Sequence, residues 1–312
     1  MYPKKISVVF PGQGSQYTGM LSDYFKNQPL FKKVFFDASN ILNLDLFKII
    51  EKGTDKELTR TEITQPLMLV ADVAMWNLIS KRITKPVCLA GHSLGEYAAL
   101  VAAEVLSFKD SLHLVQIRAK LMQEAVPEGE GGIAAIIGLK EQEVNDICSE
   151  ISKDAKFLVS VANINSNTQI VISGTKVGVK KAIDKCKSTG AKRAISLPMS
   201  VPAHCMLMKD ASDKFSLALK KIQFKSPSIP IIHNIDSLVE NDVEAIKTKL
   251  VKQIYSPVRW LDTIKLMNKM EINTFIECGP NKVLCGLIKQ VFPEVQTIYS
   301  DEYENYLSLS NG

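Results

Sequence analysis

The sequence predicts an α/β protein in which a large domain built on a parallel sheet is interrupted by a smaller insert. Three observations support this prediction. An apolar run at residues 86–90 leads into a G-x-S-x-G turn at residues 91–95, and a strong helical pattern follows at residues 96–106. A strand pattern covers residues 6–10. Between residues 133 and 197, strand and helix patterns alternate in the order βαββαβ.

The composition is that of a globular enzyme. The chain has 312 residues, of which 46% are hydrophobic and 23% charged, so it is long enough for one large domain or two smaller ones. No stretch approaches the roughly 20 apolar residues that a membrane span requires. Residues 1–5 lead directly into the first strand pattern and contain no signal-peptide cleavage pattern, which predicts a cytoplasmic protein.

Cysteine usage and charge exclude further classes of protein. The six cysteines are scattered and none forms C-x-x-C, which argues against a disulfide framework and against a zinc site. The net charge is +5, and basic residues are interleaved with acidic ones, so the sequence shows no stripe for nucleic acid. A basic face that meets an acidic protein partner remains compatible with this charge.

The G-x-S-x-G turn makes Ser93 the candidate nucleophile. A serine on a sharp strand-to-helix turn projects its hydroxyl out of the backbone, and the flanking glycines let the chain bend and a substrate approach. The helix that follows offers N-terminal N–H groups to a developing oxyanion. This arrangement predicts an α/β-hydrolase-like large domain; the alternative is a structural turn flanked by glycines.

A second glycine-rich loop follows the first strand, at residues 10–16. It is not a phosphate-binding loop, because Tyr17 stands where G-x-G-x-x-G needs glycine and no Gly-Lys-Ser/Thr sequence is present. Two interpretations stay open. The loop is either a tight turn or a close backbone approach that aims an N–H group at a reacting atom.

Helical patterns cover residues 19–50, 65–82 and 108–124. The second is expected to begin with Thr64 as its N-cap and Pro66 in its first turn. The third contains Arg118, which either lies half exposed along an apolar helix or clamps an anion in a pocket.

The pattern changes at residues 127–132, where we place a domain boundary. We expect residues 128–197 to form a ferredoxin-like small subdomain, and residues 1–127 and 198–312 to form the discontinuous large domain. Within the insert the sequence predicts strands at 133–138, 157–162, 169–174 and 191–197, helices at 141–152 and 176–189, and an Asn-rich turn at 163–167. The acidic, polar tail beyond Tyr299 is expected to be loosely held.

A serine nucleophile needs a base, and the chain has only four histidines. His113 lies within a helical pattern and is expected to be a surface or packing residue. His204 lies in a loop just after the insert, and loops near domain junctions often carry catalytic groups. This position favours His204 as the base and leaves His92 and His233 as alternatives.

Taken in order, five motifs resemble those of the malonyl-CoA:acyl-carrier-protein transacylase family of fatty-acid synthesis. The resemblance extends from about residue 4 to residue 299 and rests on residues 10–16, 64–66, 91–97, 200–205 and 277–280. It implies transfer of a malonyl group from malonyl-CoA, a substrate, to acyl carrier protein through an acyl-serine. It implies no cofactor and no metal.

The resemblance also implies a role for individual residues. Ser93 is the nucleophile, His204 is its base, and the backbone carbonyl of Gln253 orients that histidine. Arg118 clamps the free malonyl carboxylate. The backbone N–H groups of Gln13 and Leu94 match the oxyanion hole, and Asn163 resembles a pocket asparagine.

Other functions stay open on the sequence. Ala203 stands where modular polyketide acyltransferases often carry an aromatic residue, so their specificity motif does not apply. A free-standing acyltransferase of a polyketide pathway shares most of the motifs. A serine thioesterase or esterase would use the same turn, but it usually places Asp or Glu behind the histidine and has no need for Arg118. The resemblance favours a monomer.

Overall fold

Two β-sheets organise the chain in the computed structural model, which describes residues 5–199 and 201–309. One has five parallel strands and the other has four antiparallel strands. The predicted α/β fold class is therefore confirmed. The strands are β1 (Ile6–Phe10), β2 (Cys88–Gly91), β3 (Gly131–Ile137), β4 (Val159–Ser166), β5 (Gln169–Thr175), β6 (Arg193–Ser196), β7 (Ile231–Ile232), β8 (Thr274–Glu277) and β9 (Gln296–Tyr299).

The five-stranded sheet has the order β7-β2-β1-β8-β9. Helices cover both of its faces, as a parallel sheet requires, and its central strand β1 is buried at every position. The carboxyl ends of β1, β2 and β8 lie side by side, because Phe10 pairs with Gly91 and Val9 with Glu277. The loops that follow these strands therefore meet at one edge of the sheet, which is where open α/β sheets bind their ligands.

The helices of the described ranges are short to medium in length, and most are amphipathic. They are α1 (Ser22–Asn27), α2 (Pro29–Leu42), α3 (Leu46–Lys52), α4 (Asp55–Leu58), α5 (Thr61–Ile79), α6 (Gly95–Ala102), α7 (Phe108–Glu124), α8 (Glu141–Ile151), α9 (Lys176–Ser188), α10 (Lys209–Leu219), α11 (Val243–Gln253), α12 (Trp260–Lys269), α13 (Val283–Val291) and α14 (Tyr303–Ser308). None of them is long and apolar enough to cross a membrane.

The four-stranded sheet has the order β4-β5-β3-β6 and carries α8 and α9 on one face. Alternation along β3 separates its two faces. Ala134 and Ile136 pack in the cluster under the helices, whereas Ile133 packs on the opposite face with Ala162 and Val171. The face without helices is turned towards the large sheet and lines a cavity.

Three local predictions were wrong. The Asn-rich segment 163–167 is not a turn, because residues up to Ser166 continue β4. Thr64 does not cap α5, which begins at Thr61. The Thr64 hydroxyl instead donates to backbone carbonyls, and Pro66 lies inside the helix without breaking it.

The tail beyond Tyr299 is also better held than predicted. It forms α14, whose Tyr306 is buried in the main core with Leu309. The Tyr24 hydroxyl donates to the Ser300 carbonyl at 2.5 Å. Packing of Tyr303 and Tyr306 against Tyr24, together with burial of Leu309, thus holds a segment that is polar in composition.

Candidate active site

Ser93 lies on a tight turn between β2 and α6. Its φ of 51° is in the left-handed region, which residues other than glycine rarely adopt. The turn is possible only because its flanking residues lack side chains. A Cβ atom on Gly91 would lie 1.9 Å from the Gly95 carbonyl carbon, and one on Gly95 would lie 2.1 Å from the Phe10 carbonyl oxygen. The Ser93 hydroxyl is thereby presented at the carboxyl edge of the large sheet.

The Ser93 hydroxyl is hydrogen-bonded to a histidine from a distant loop. The distance from Ser93 Oγ to His204 Nε2 is 2.7 Å. On the other side of the ring, His204 Nδ1 donates to the Gln253 carbonyl oxygen at 2.7 Å. The carbonyl can only accept, so it fixes the proton on Nδ1 and leaves Nε2 free to take the serine proton.

The backbone of His204 is also fixed in position. Its φ is 63°, its N–H donates to the Ile254 carbonyl at 3.0 Å, and the residue is 4% exposed. The sequence motif that contains it begins at Ser200, which lies outside the described residues.

Two residues with an unused backbone N–H group line the cavity together with Ser93. Leu94 is the residue at the start of α6, and Gln13 lies in the loop after β1. The two loops are in close contact, because a Cβ atom on Gly12 would lie 3.7 Å from the Leu94 nitrogen. Within the described ranges, neither the Gln13 nor the Leu94 N–H donates to a protein acceptor, and both residues line the cavity. They are therefore free to bind an oxyanion.

Arg118 lies on α7 and is buried, at 1% exposure. One terminal nitrogen (Nη1) donates to Gln65 Oε1 at 2.5 Å. The other (Nη2) donates to Gln253 Oε1 at 3.1 Å and lies 3.4 Å from Ser93 Oγ. Arg118 is therefore not the half-exposed residue of the first interpretation, and its guanidinium lies beside the nucleophile.

These groups line a cavity of about 860 Å³ between the two sheets. Ser93, His204 and Arg118 lie on the side of the large sheet, and Ile133 and Val171 lie on the small sheet opposite. Asn163 also lines the cavity, from β4, at 9% exposure. The site thus lies in a crevice between the large sheet and the insert.

The remaining histidines have separate roles. His113 is exposed on α7. His92 Nε2 lies 2.9 Å from Asn165 Oδ1, so it connects the turn to the small sheet. His233 is fully buried, and its Nδ1 donates to Glu96 Oε1 at 2.6 Å. Neither His92 nor His233 contacts the Ser93 hydroxyl.

Three residues of the site were not found from the sequence. Gln65 accepts from Arg118. Asn234 accepts the Ser93 N–H at 2.7 Å and donates to the Gly91 carbonyl at 2.7 Å, so it braces the turn from both sides. Glu96 is buried one turn below Ser93. In the sequence, each of these three is a polar residue in an apolar segment. That alone does not show which residue it is hydrogen-bonded to. In the described part of the chain, no three His, Cys, Asp or Glu side chains are grouped to hold a metal ion.

Burial and, to a smaller extent, the positive charge of Arg118 together lower the pKa of His204 from its ordinary value of 6.5 to about 3. The hydrogen bond to Gln253 opposes this shift. A general base works in its neutral form, so a lowered pKa moves the acid limb of activity to lower pH. We expect kcat/KM for the acyl donor to stay level from about pH 8 to about pH 5, measured as the acylation burst.

The same shift changes stability with pH. Between pH 6.5 and about 3 the unfolded chain takes up a proton at His204 that the folded chain does not, so the free energy of unfolding falls as the pH drops. Circular dichroism at each pH therefore accompanies the rate measurement. A half-maximal rate near pH 6.5 in protein that is still folded would contradict the expectation.

Comparison with known proteins shows which family the chain resembles over most of its length. The model described as acyl transferase domain matches residues 8–303. The malonyl CoA-acyl carrier protein transacylase of Salmonella typhimurium is 45% identical over 288 residues, which are 92% of this chain and 93% of that protein.

Solved structures of transacylases are also similar to this chain. The malonyl CoA-acyl carrier protein transacylase from Coxiella burnetii superposes with a TM-score of 0.95 at 42% identity, over 98% of this chain and 96% of that chain. A malonyl-transacylase solved in complex with its type II PKS acyl-carrier protein also has a TM-score of 0.95, at 41% identity, over 98% of this chain and 99% of that chain.

Proposed function

Because this chain belongs to the malonyl CoA-acyl carrier protein transacylase family, we propose that it transfers the malonyl group of malonyl-CoA to the phosphopantetheine thiol of an acyl carrier protein, in fatty-acid synthesis. The single observation that supports this best is the position of Ser93 Oγ. It lies 2.7 Å from His204 Nε2 and 3.4 Å from an Arg118 terminal nitrogen, so a base and a cation for a carboxylate meet at one nucleophile.

In the first half-reaction, Ser93 Oγ attacks the thioester carbonyl while its proton passes to His204 Nε2. The Gln13 and Leu94 N–H groups bind the oxyanion of the tetrahedral intermediate. Collapse of the intermediate breaks the carbon–sulfur bond, and the proton on His204 passes to the departing coenzyme A sulfur. The product is a malonyl ester of Ser93.

In the second half-reaction, the pantetheine thiol gives its proton to His204 and its sulfur attacks the ester. Ser93 Oγ leaves with that proton, and the malonyl group is now a thioester of the carrier. Arg118 binds the malonyl carboxylate throughout, because a guanidinium presents two parallel N–H donors to a carboxylate. Asn163 contributes a polar group to the wall of the same cavity.

A hydrolase is the less well supported alternative. Esterases of this type usually place a carboxylate behind the histidine, whereas His204 has a backbone carbonyl there. The nearest carboxylate of the turn, Glu96, is bonded to His233 instead. A carboxylate clamp also has no use in a general esterase. These observations favour transfer over hydrolysis.

A polyketide carrier is the second candidate acceptor, since one similar structure is a malonyl-transacylase with its type II PKS acyl-carrier protein.

The proposal includes a division of the chain into a large domain, residues 1–127 and 198–312, and a small subdomain, residues 128–197. The limits of the four-stranded sheet support it. A monomeric state, a cytoplasmic location and the lack of nucleic-acid or membrane partners stay predictions.

Arg118 is expected to select the acyl donor. A buried guanidinium–carboxylate pair that loses one partner leaves the other charge unpaired, at a cost of about 3–5 kcal/mol. Arg118→Ala should therefore lower kcat/KM for malonyl-CoA by at least about a hundred-fold and lower that for acetyl-CoA far less. Arg118→Lys keeps the positive charge but loses the two parallel N–H donors of the guanidinium. Its kcat/KM for malonyl-CoA should therefore lie between those of the wild type and of Arg118→Ala.

The measurement is release of free coenzyme A in the presence of holo acyl carrier protein, with malonyl-, methylmalonyl- and acetyl-CoA as donors. Fatty-acid and polyketide carriers are compared as acceptors, and water without carrier reports hydrolysis. Equal losses for malonyl-CoA and acetyl-CoA in Arg118→Ala would make Arg118 a structural residue. Faster release to water than to any carrier would overturn the transferase assignment.

A further inference from the structure

Glu96 is a buried carboxylate that the proposed mechanism does not use. It lies in the first turn of α6, three residues after Ser93, and is 1% exposed. Three donors converge on its two oxygens. Oε1 accepts from His233 Nδ1 at 2.6 Å, and Oε2 accepts from the Asn234 N–H at 3.2 Å and from Gln253 Nε2 at 2.8 Å. A carboxylate with this many donors is held in one position.

His233 and Gln253 contact different oxygens of Glu96. His233 Nε2 is buried and has no partner among the described residues. Nδ1 is therefore the ring nitrogen through which His233 donates to Glu96. The other carboxylate oxygen, Oε2, is left to accept from Gln253 and from the Asn234 N–H.

The side chain of Gln253 connects this carboxylate to Arg118. Its Nε2 donates to Glu96 Oε2 and, at 3.0 Å, to the Ser93 carbonyl. Its Oε1 accepts from Arg118 Nη2 at 3.1 Å. The amide can have only one orientation here, because the end that faces a carboxylate must donate and the end that faces a guanidinium must accept.

Arg118 needs this support before substrate binds. Within the described residues it makes no direct ion pair, and its two bonded acceptors other than Ser93 are the amide oxygens of Gln65 and Gln253. Its guanidinium also lies over the Tyr97 ring, 5.6 Å from the ring centre. A buried cation with only neutral partners is poorly compensated, and Glu96 is the carboxylate that reaches it through one amide.

We infer that Glu96 and the side chain of Gln253 are positioning residues that hold the Arg118 fork in the orientation that receives the malonyl carboxylate. This inference rests on the proposed function and deepens it. Gln253 then serves the reaction twice, since its backbone carbonyl orients His204 and its side chain orients Arg118. Selection for a carboxylated donor comes from a relay of three side chains rather than from one arginine.

The decisive variants separate the side chain of Gln253 from its backbone. Gln253→Met keeps the carbonyl that binds His204 and removes the amide, and Glu96→Gln removes the charge at constant size. We expect Gln253→Met to lower the ratio of kcat/KM for malonyl-CoA to that for acetyl-CoA by about tenfold or more, and Glu96→Gln to lower it by about three- to tenfold. The loss should appear mainly as a higher KM for malonyl-CoA, because the carboxylate is bound in ground state and transition state alike.

The two changes should not add. Both act on one relay, so the double variant is expected to have nearly the same donor ratio as Gln253→Met alone. Loss of the bond from Gln253 to the Ser93 carbonyl affects both donors and cancels in the ratio. The matched control is Glu277→Gln, another fully buried glutamate, which accepts from the Leu284 and Cys285 N–H groups and has no bond to Arg118. Its donor ratio should equal that of the wild type.

Each outcome decides the matter. A wild-type protein without preference for malonyl-CoA would overturn the proposed function itself. A wild-type preference that survives Gln253→Met, or that falls equally in Glu277→Gln, would overturn the relay and leave the function standing. Full additivity in the double variant would also overturn it. If Glu96→Gln fails to fold, Gln253→Met and its KM decide alone.

Discussion

Ser93→Ala is expected to abolish the covalent malonyl adduct and to lower malonyl transfer by at least about ten-thousand-fold. Both half-reactions proceed through the ester of this hydroxyl, so no step remains for the variant except direct attack by the carrier thiol. Removal of a nucleophile that acts as a unit with its base removes nearly the whole covalent route. Intact-protein mass spectrometry after incubation with malonyl-CoA measures the adduct, and peptide mapping locates it.

Ser212→Ala is the control for this experiment. Ser212 is fully buried on α10, and its hydroxyl has no partner in the described part of the chain, so it resembles Ser93 in residue type but not in setting. That variant should be labelled like the wild type. A malonyl adduct that persists in Ser93→Ala, on any other residue, would show that the turn does not carry the nucleophile.

The second large effect concerns the base. His204→Ala should slow acylation by about 100- to 10,000-fold, because a serine hydroxyl is a poor nucleophile until its proton is removed. The 2.7 Å contact between Ser93 Oγ and His204 Nε2 places that proton transfer within one hydrogen bond. The acylation burst in rapid-mixing experiments with malonyl-CoA measures the rate.

His113→Ala provides the comparison, since this histidine is exposed on α7. Its burst should match that of the wild type. If His113→Ala is the slower of the two variants, or if His204→Ala retains the wild-type burst, the assignment of the base is wrong.

The sequence predicted the parts of the site whose geometry is local. Ser93 could be found because strand, glycine-flanked turn and helix are contiguous, and the glycines leave one conformation for the turn. The order βαββαβ of the elements along the insert was predictable for a similar reason, because each strand and helix has its own periodicity. His204 was only favoured by its position until the family resemblance was considered.

What the sequence missed depends on contacts between distant segments. Asn163 and Asn165 have the composition of a turn, yet pairing with β5 makes them strand residues. Whether Arg118 is exposed or buried depends on Gln65 and Gln253, which are 53 and 135 residues away. The pairing of Glu96 with His233 spans 137 residues. Propensity and periodicity contain no information on such partners.

The backbone of Ser93 has a consequence for selection and engineering. A non-glycine residue in the left-handed region is disfavoured by roughly 1–2 kcal/mol, so Ser93→Gly relaxes the turn while it removes the nucleophile. Stability and turnover are therefore opposed at this position. A screen that rewards only heat resistance would enrich well-folded but inert copies, and directed evolution of this enzyme must score product at every round.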